Sequence, residues 1–248
     1  MRKPGVVRKA ESAYHLGMMR SKRAVPSLIE ALGSARRPEV VFSCLNALSK
    51  VGTTEALEAV VNHLATAPEL ETLRVAEVIL ERKQEFSDYL EQWLERVGTD
   101  TGRVILLVNL MGAMKSARSV PVLVGFLKHD DARVRARSAF SLGTIGDFTT
   151  CDDLVEAMDD EDAEVRAESA EALGKLQCED AIPRLEQGLD DQDLSVKMNC
   201  AVALSRLGER GRAVLEEVLF TTEEIQVEVA AEVLDTLVVR ERDDGEGL

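Results

Sequence analysis

Seven nine-residue segments align without gaps along the chain: 24-AVPSLIEAL-32, 56-ALEAVVNHL-64, 86-FSDYLEQWL-94, 119-SVPVLVGFL-127, 150-TCDDLVEAM-158, 181-AIPRLEQGL-189 and 211-GRAVLEEVL-219. Their last residues (Leu32, Leu64, Leu94, Leu127, Met158, Leu189 and Leu219) stand 32, 30, 33, 31, 31 and 30 apart. A fixed period of this size marks a stacked-repeat architecture. A unit too small to bury its own apolar face buries it against its neighbours.

The period inside each segment is helical. Apolar residues fall at relative positions 1, 4, 5 and 8, as in Val25, Leu28, Ile29 and Leu32, which places them on one helical face. Pro26, Pro121 and Pro183 sit where a first helical turn tolerates the missing N–H. Longer helices are predicted between these segments, over 4–20, 38–51, 69–84, 100–116, 131–145, 162–176, 193–207 and 224–240. Asp131, Asp162 and Asp193 are placed to cap three of them or to lie in their first turns. The expected fold is all-α: a right-handed α-solenoid of about seven antiparallel helix pairs with a closing C-terminal helix. It is expected to form one domain over 1–240, followed by a disordered acidic tail over 241–248.

Charge narrows the partners. Residues 1–37 hold nine Lys/Arg against two Glu, whereas 151–248 hold nine against twenty-eight Asp/Glu. Most of the chain would therefore repel phosphate, and a nucleic-acid partner is not expected. The basic start, RKPGVVRK (2–9), is the one stretch suited to an anionic membrane, so membrane proximity is carried as a further expectation. An anchor or further domain outside this sequence would fit that alternative. The opening residues do not read as a signal peptide, and no apolar run is long enough to cross a bilayer. Cys44, Cys151, Cys178 and Cys200 are widely spaced with no CxxC pair. A disulfide framework or zinc site is not expected, and a reducing cytoplasm is.

The phrases SLGTIGD (141–147), ALGKL (172–176) and AIPRLEQGL (181–189) resemble the short HEAT-like repeats of the phycobilisome-lyase type. The resemblance spans nearly the whole chain, is clearest over 119–208, and is weakest where ILERKQEF (79–86) replaces the Leu-Gly turn. It implies that the second helix of each pair lines a concave surface where partners bind. It also implies that Asp131–Arg135, Asp162–Arg166 and Asp193–Lys197 belong to an Asp/Arg ladder linking neighbouring repeats. Such repeats carry several activities, so the fold names no chemistry. The HEAT-like iron enzyme deoxyhypusine hydroxylase relies on repeated His-Glu pairs, and none of His15, His63 and His129 is followed by Glu. No catalytic residue, cofactor or metal is therefore expected.

Cys44, Ser138, Ser169 and Cys200 share one column of the long helices and read as small packing residues. The binding expectation rests on the short helices. Position 7 reads Ala31, His63, Trp93, Phe126, Ala157, Gly188 and Val218, which gathers the large rings in the middle repeats, with Tyr89 one turn from Trp93. Position 6 adds Gln92 and Glu156 to a polar, increasingly acidic lining. Aromatic anchors beside carboxylates predict a site for a protein or peptide with a basic segment, built from His63, Tyr89, Gln92, Trp93, Phe126 and Glu156, while packing of position 7 against the neighbouring repeat is the alternative to such a groove. A non-catalytic scaffold or adaptor is the expectation. A lyase-like or chaperone-like accessory protein is the alternative, and a cytosolic module of a membrane-associated assembly a further one.

Overall fold

The computed structural model describes residues 4–64 and 101–218, together with Ile79, Phe86, 229–231 and Val233. Among the described residues the fold is all-α, with no strand. The chain divides into two compact units, Met1–Leu110 and Met111–Leu248. The first contains α1 (Pro4–Met18), α2 (Val25–Ser34), α3 (Pro38–Val51) and α4 (Thr54–Leu64). Helix α5 (Thr101–Met114) begins in the first unit and ends in the second. The second unit continues with α6 (Val120–Phe126), α7 (Ala132–Ile145), α8 (Cys151–Ala157), α9 (Ala163–Leu176), α10 (Ile182–Gly188), α11 (Leu194–Arg206) and α12 (Gly208–Val218). Long and short helices alternate as the period requires. The predicted helices over 69–84 and 224–240 lie almost wholly outside the described residues.

Local chemistry sets the helix starts. Asp131, Asp162 and Asp193 are the N-caps of α7, α9 and α11, each side chain accepting from a backbone N–H of the first turn, for example Ser195 N at 2.8 Å. Pro26, Pro121 and Pro183 occupy the first turn of α2, α6 and α10. Gly52 and Gly146 end α3 and α7 with φ of 67° and 87°, a conformation that costs L-residues with a Cβ.

Long helices stack on long helices: α1 on α3 in the first unit, α7 on α9 and α9 on α11 in the second. Each contact closes on a glycine. A Cβ on Gly17 would lie 2.6 Å from Ala47 Cα, one on Gly143 2.8 Å from Ala172 Cα, and one on Gly174 2.6 Å from Ala203 Cα. The small residue opposite each glycine recurs at the repeat period, so neighbouring backbones approach at the same height in successive repeats. Ser138, Ser169, Cys44 and Cys200, the column read as packing residues, are fully buried. The short helices α6, α8 and α10 pack on the long helix that follows each of them.

These contacts set opposite expectations for two glycines. Gly174→Ala gains helix propensity of about 1 kcal/mol but drives a methyl into the Ala203 backbone, an overpacking cost of about 1–3 kcal/mol. A net loss of stability is expected in urea unfolding. At Gly33 nothing stands within 4 Å of an added Cβ, so Gly33→Ala is expected to stabilise by up to about 1 kcal/mol. Equal responses at the two sites would refute the role given to the glycine contact.

The structure corrects the reading of the cysteines. Cys151, the first residue of α8, and Cys178, in the turn before α10, form a disulfide with Cα atoms 6.0 Å apart. Their separation of 27 residues hides the pair from any local motif. Stacking sets residues about one period apart side by side, so distance along the chain is a poor guide to distance in space. The inference of a reducing compartment rested on the absence of a cysteine pair, and that ground is removed. Cys44 and Cys200 are free thiols in the core, and burial pushes the Cys200 thiol up to about 12. Neither is set up as a nucleophile.

Candidate functional site

Arg135 of α7 and Arg166 of α9 form largely buried ion pairs in the second unit. Arg135 donates to both carboxylate oxygens of Asp160, at 2.7 and 2.8 Å, and to the carbonyls of His129 and Asp130. Arg166 repeats the pattern one period on, with Asp191 at 2.7 and 2.9 Å and the carbonyls of Asp160 and Glu161. Both pairs are largely buried, and each joins one repeat to the next. The acid of each rung is therefore Asp160 or Asp191, whereas Asp131 and Asp162, four residues before the arginines, serve as caps. Asp160 and Asp191 also accept from the backbone N–H of Asp162 and Asp193, which holds the carboxylates in place. Lys197 occupies the corresponding place in α11, and Thr222, one period beyond Asp191, lies outside the described residues. Every nitrogen of the Arg135 and Arg166 guanidiniums donates to a protein acceptor. The ladder's chemistry is that of a brace between repeats.

The short helices present the other candidate surface. Position 6 is exposed wherever it is described, at Glu30, Asn62, Gly125, Glu156, Gln187 and Glu217. Position 7 does not project outward to the same extent. His63 and Phe126 are half-buried, Ala157, Gly188 and Val218 are buried, and a Cβ on Gly188 would meet Cys200 Sγ at 2.3 Å. Position 5, read as core, opens to solvent in the second unit, from half-buried Val124 and Val155 to exposed Glu186 and Glu216. The buried arc of the short helices has turned toward position 7, because the following long helix packs on that side. Phe126 accordingly turns its ring against His129, with centroids 6.0 Å apart. Tyr89, Gln92 and Trp93 lie outside the described residues. Of the remaining expected partner contacts, His63 belongs to the first unit, and Phe126 and Glu156 to the second.

Between consecutive short helices run shallow grooves with apolar floors and acidic rims. The groove between α2 and α4 encloses about 380 Å³ over Ile29, Leu32 and Ala59, edged by Glu55, Glu58, Asn62 and His63. The groove between α6 and α8 encloses about 280 Å³ over Leu127 and Ala157, edged by Asp153, Glu156, Asp159 and Asp160. Lys128 reaches across the latter to Glu156 at 3.2 Å, with both side chains about two-thirds exposed. An exposed pair of this kind contributes well under about 1 kcal/mol and yields readily to a competing cation. Between α8 and α10 the equivalent place is filled by Arg184, which donates to the Met158 carbonyl and to Asp159 Oδ1. Arg184, Asp159, Asp160 and Asp191 were not singled out from the sequence. The signal for the ladder acids was present: an Asp at 160 and again at 191, each following an Arg by 25 residues.

The HEAT-repeat family profile matches residues 4–81, 90–162 and 151–235. The chain belongs to the HEAT-repeat family. Among curated proteins no sequence matches significantly. Several solved structures resemble it at low identity. Human deoxyhypusine hydroxylase is 25% identical with a TM-score of 0.42, covering 93% of this chain and 79% of its own. The complex of CpcE and CpcF of phycocyanin lyase from Nostoc sp. PCC7120 is 19% identical with a TM-score of 0.39, covering 95% and 91%. YibA of Escherichia coli is 19% identical with a TM-score of 0.48, covering 90% and 85%. At these scores the likeness carries no argument about activity. Among the described residues of these HEAT repeats, no cluster of three or more His, Cys, Asp or Glu side chains could hold a metal ion. No described helix is long and apolar enough to cross a membrane.

Proposed function

We propose that this HEAT-repeat protein is a non-catalytic adaptor that binds a basic segment of a partner protein along its short helices. The observation that supports the reading most is the recurrence of apolar-floored, acid-rimmed grooves between consecutive short helices, one in each unit. Apolar floors take the methylene stems of Lys and Arg while the rim carboxylates meet their charged ends. Rim charges act mainly on the association rate and on its salt dependence, so binding should weaken steeply as ionic strength rises.

Charge reversal tests the reading. Glu55→Lys with Glu58→Lys in the first unit, combined with Asp153→Lys and Glu156→Lys in the second, should abolish capture of the native partner. These exposed and half-buried side chains should leave helicity by circular dichroism unchanged. Capture that survives in the reversed protein, or that is insensitive to salt, would rule out an acidic binding face.

A further inference from the structure

We infer that the groove between α2 and α4 is a pocket for an arginine side chain supplied by the partner. The inference rests on the adaptor reading and names the group this groove takes. It comes from comparing two equivalent places in the chain. In 181-AIPRLEQGL-189 the fourth residue is Arg184, and in 56-ALEAVVNHL-64 it is Ala59. The last residue of the preceding segment and the residue after it are Met158 and Asp159 in one case, Leu32 and Gly33 in the other.

In the second unit Arg184 leans back across its groove. Nε and Nη2 approach Asp159 Oδ1 at 3.1 and 2.9 Å, and Nη2 also donates to the Met158 carbonyl. The arginine comes from within the chain, and its side chain is mostly covered. In the first unit Ala59 is too short to cross, and the place stays open as the cavity of about 380 Å³ that Ala59, Leu32 and Gly33 line together.

The open groove keeps what a guanidinium needs. Ile29, Leu32 and Ala59 form an apolar floor for its methylenes. Gly33 cannot supply the carboxylate that Asp159 supplies, but Glu55 and Glu58 edge the same cavity from α4 and restore the negative charge. The Leu32 carbonyl already accepts from Ala35 N at 3.2 Å and retains a second lone pair. A planar fork that bridges a carbonyl and a carboxylate suits arginine better than the point charge of lysine.

Two substitutions exchange the places. Ala59→Arg installs the internal arginine and closes the first groove, and Arg184→Ala opens the second. The probe is N-acetyl-arginine methylamide, titrated into isotopically labelled protein by NMR, with the lysine and leucine analogues as references. In the wild type, saturable shifts are expected for residues around Leu32, Glu55 and Ala59, and for arginine more than lysine. Ala59→Arg should abolish them with the rest of the spectrum preserved. Arg184→Ala should add a second saturable set around Met158 and Asp159. Glu55→Gln with Glu58→Gln should weaken binding about fivefold or more. Saturable shifts that persist in Ala59→Arg would overturn the pocket while leaving an acidic binding face standing. Absence of any saturable shift with arginine or lysine would overturn both. If Ala59→Arg fails to fold, the Glu55/Glu58 pair decides in its place: weakened shifts support the pocket, and undiminished shifts overturn it.

Discussion

Arg166→Ala is expected to lower the unfolding free energy by about 3–4 kcal/mol, because it removes one partner of a mostly buried ion pair and leaves the other uncompensated. In the intact protein the side chains of Arg166 and Asp191 are only 18% and 14% exposed, and Arg166 also satisfies the carbonyls of Asp160 and Glu161. Without the guanidinium, Asp191 keeps the backbone N–H of Asp193 and little else. Arg166→Met retains the stem but not the charge and should lose nearly as much. The double variant Arg166→Met with Asp191→Leu should recover part of the loss, since the buried charge is gone.

The effect has a pH signature. Hydrogen bonds from Arg166 hold the Asp191 carboxyl below its ordinary range, despite the burial that opposes them. At Asp160 burial is the largest single influence and would raise the carboxyl, but the hydrogen bonds from Arg135 and from the Asp162 N–H, together with the charges of Arg135 and Arg166, outweigh it and hold the carboxyl below its ordinary range. A group whose folded value is depressed adds stability that is fully present above its ordinary value and is lost as pH falls through the depressed one. The gap between wild type and Arg166→Ala should thus be constant near neutrality and shrink on acidification below about pH 4. Urea midpoints across that range measure it. A gap unchanged at acid pH would show that packing, not the ion pair, carries the loss.

Reduction of the Cys151–Cys178 bond is the second large effect. A crosslink closing a loop of this length restricts the unfolded chain by about 3–4 kcal/mol in the entropic account. Stacked repeats unfold with neighbour-to-neighbour cooperativity, so the loss should fall on the second unit first. Unfolding with and without dithiothreitol, followed by hydrogen exchange, should show α8 and α10 losing protection before α3. The double variant Cys151→Ser, Cys178→Ser should ignore the reductant. A midpoint that does not move on reduction of the wild type would mean that the bond adds nothing beyond the packing already present.

Much of this could be read from the period alone. The alternation of long and short helices, the caps at Asp131, Asp162 and Asp193, and the first-turn prolines are local choices. Each depends on a backbone group within a few residues, so sequence spacing reports it directly. The rungs, the crosslink and the grooves are different in kind. Arg166 meets Asp191 and not Asp162, four residues away, because Asp162 is already engaged by its own helix start. Cys151 meets Cys178 because one turn of the stack returns the chain to its neighbour. Position 7 turns inward at Ala157 and Gly188 because the following long helix closes on that side, a choice that a helical wheel drawn for one segment leaves open. The sequence by itself determined an all-α repeat and where its helices begin. Which partners its arginines, cysteines and short-helix faces take was decided by the stacking, because those contacts join residues about one period apart whose distance in space depends on how the repeats pack.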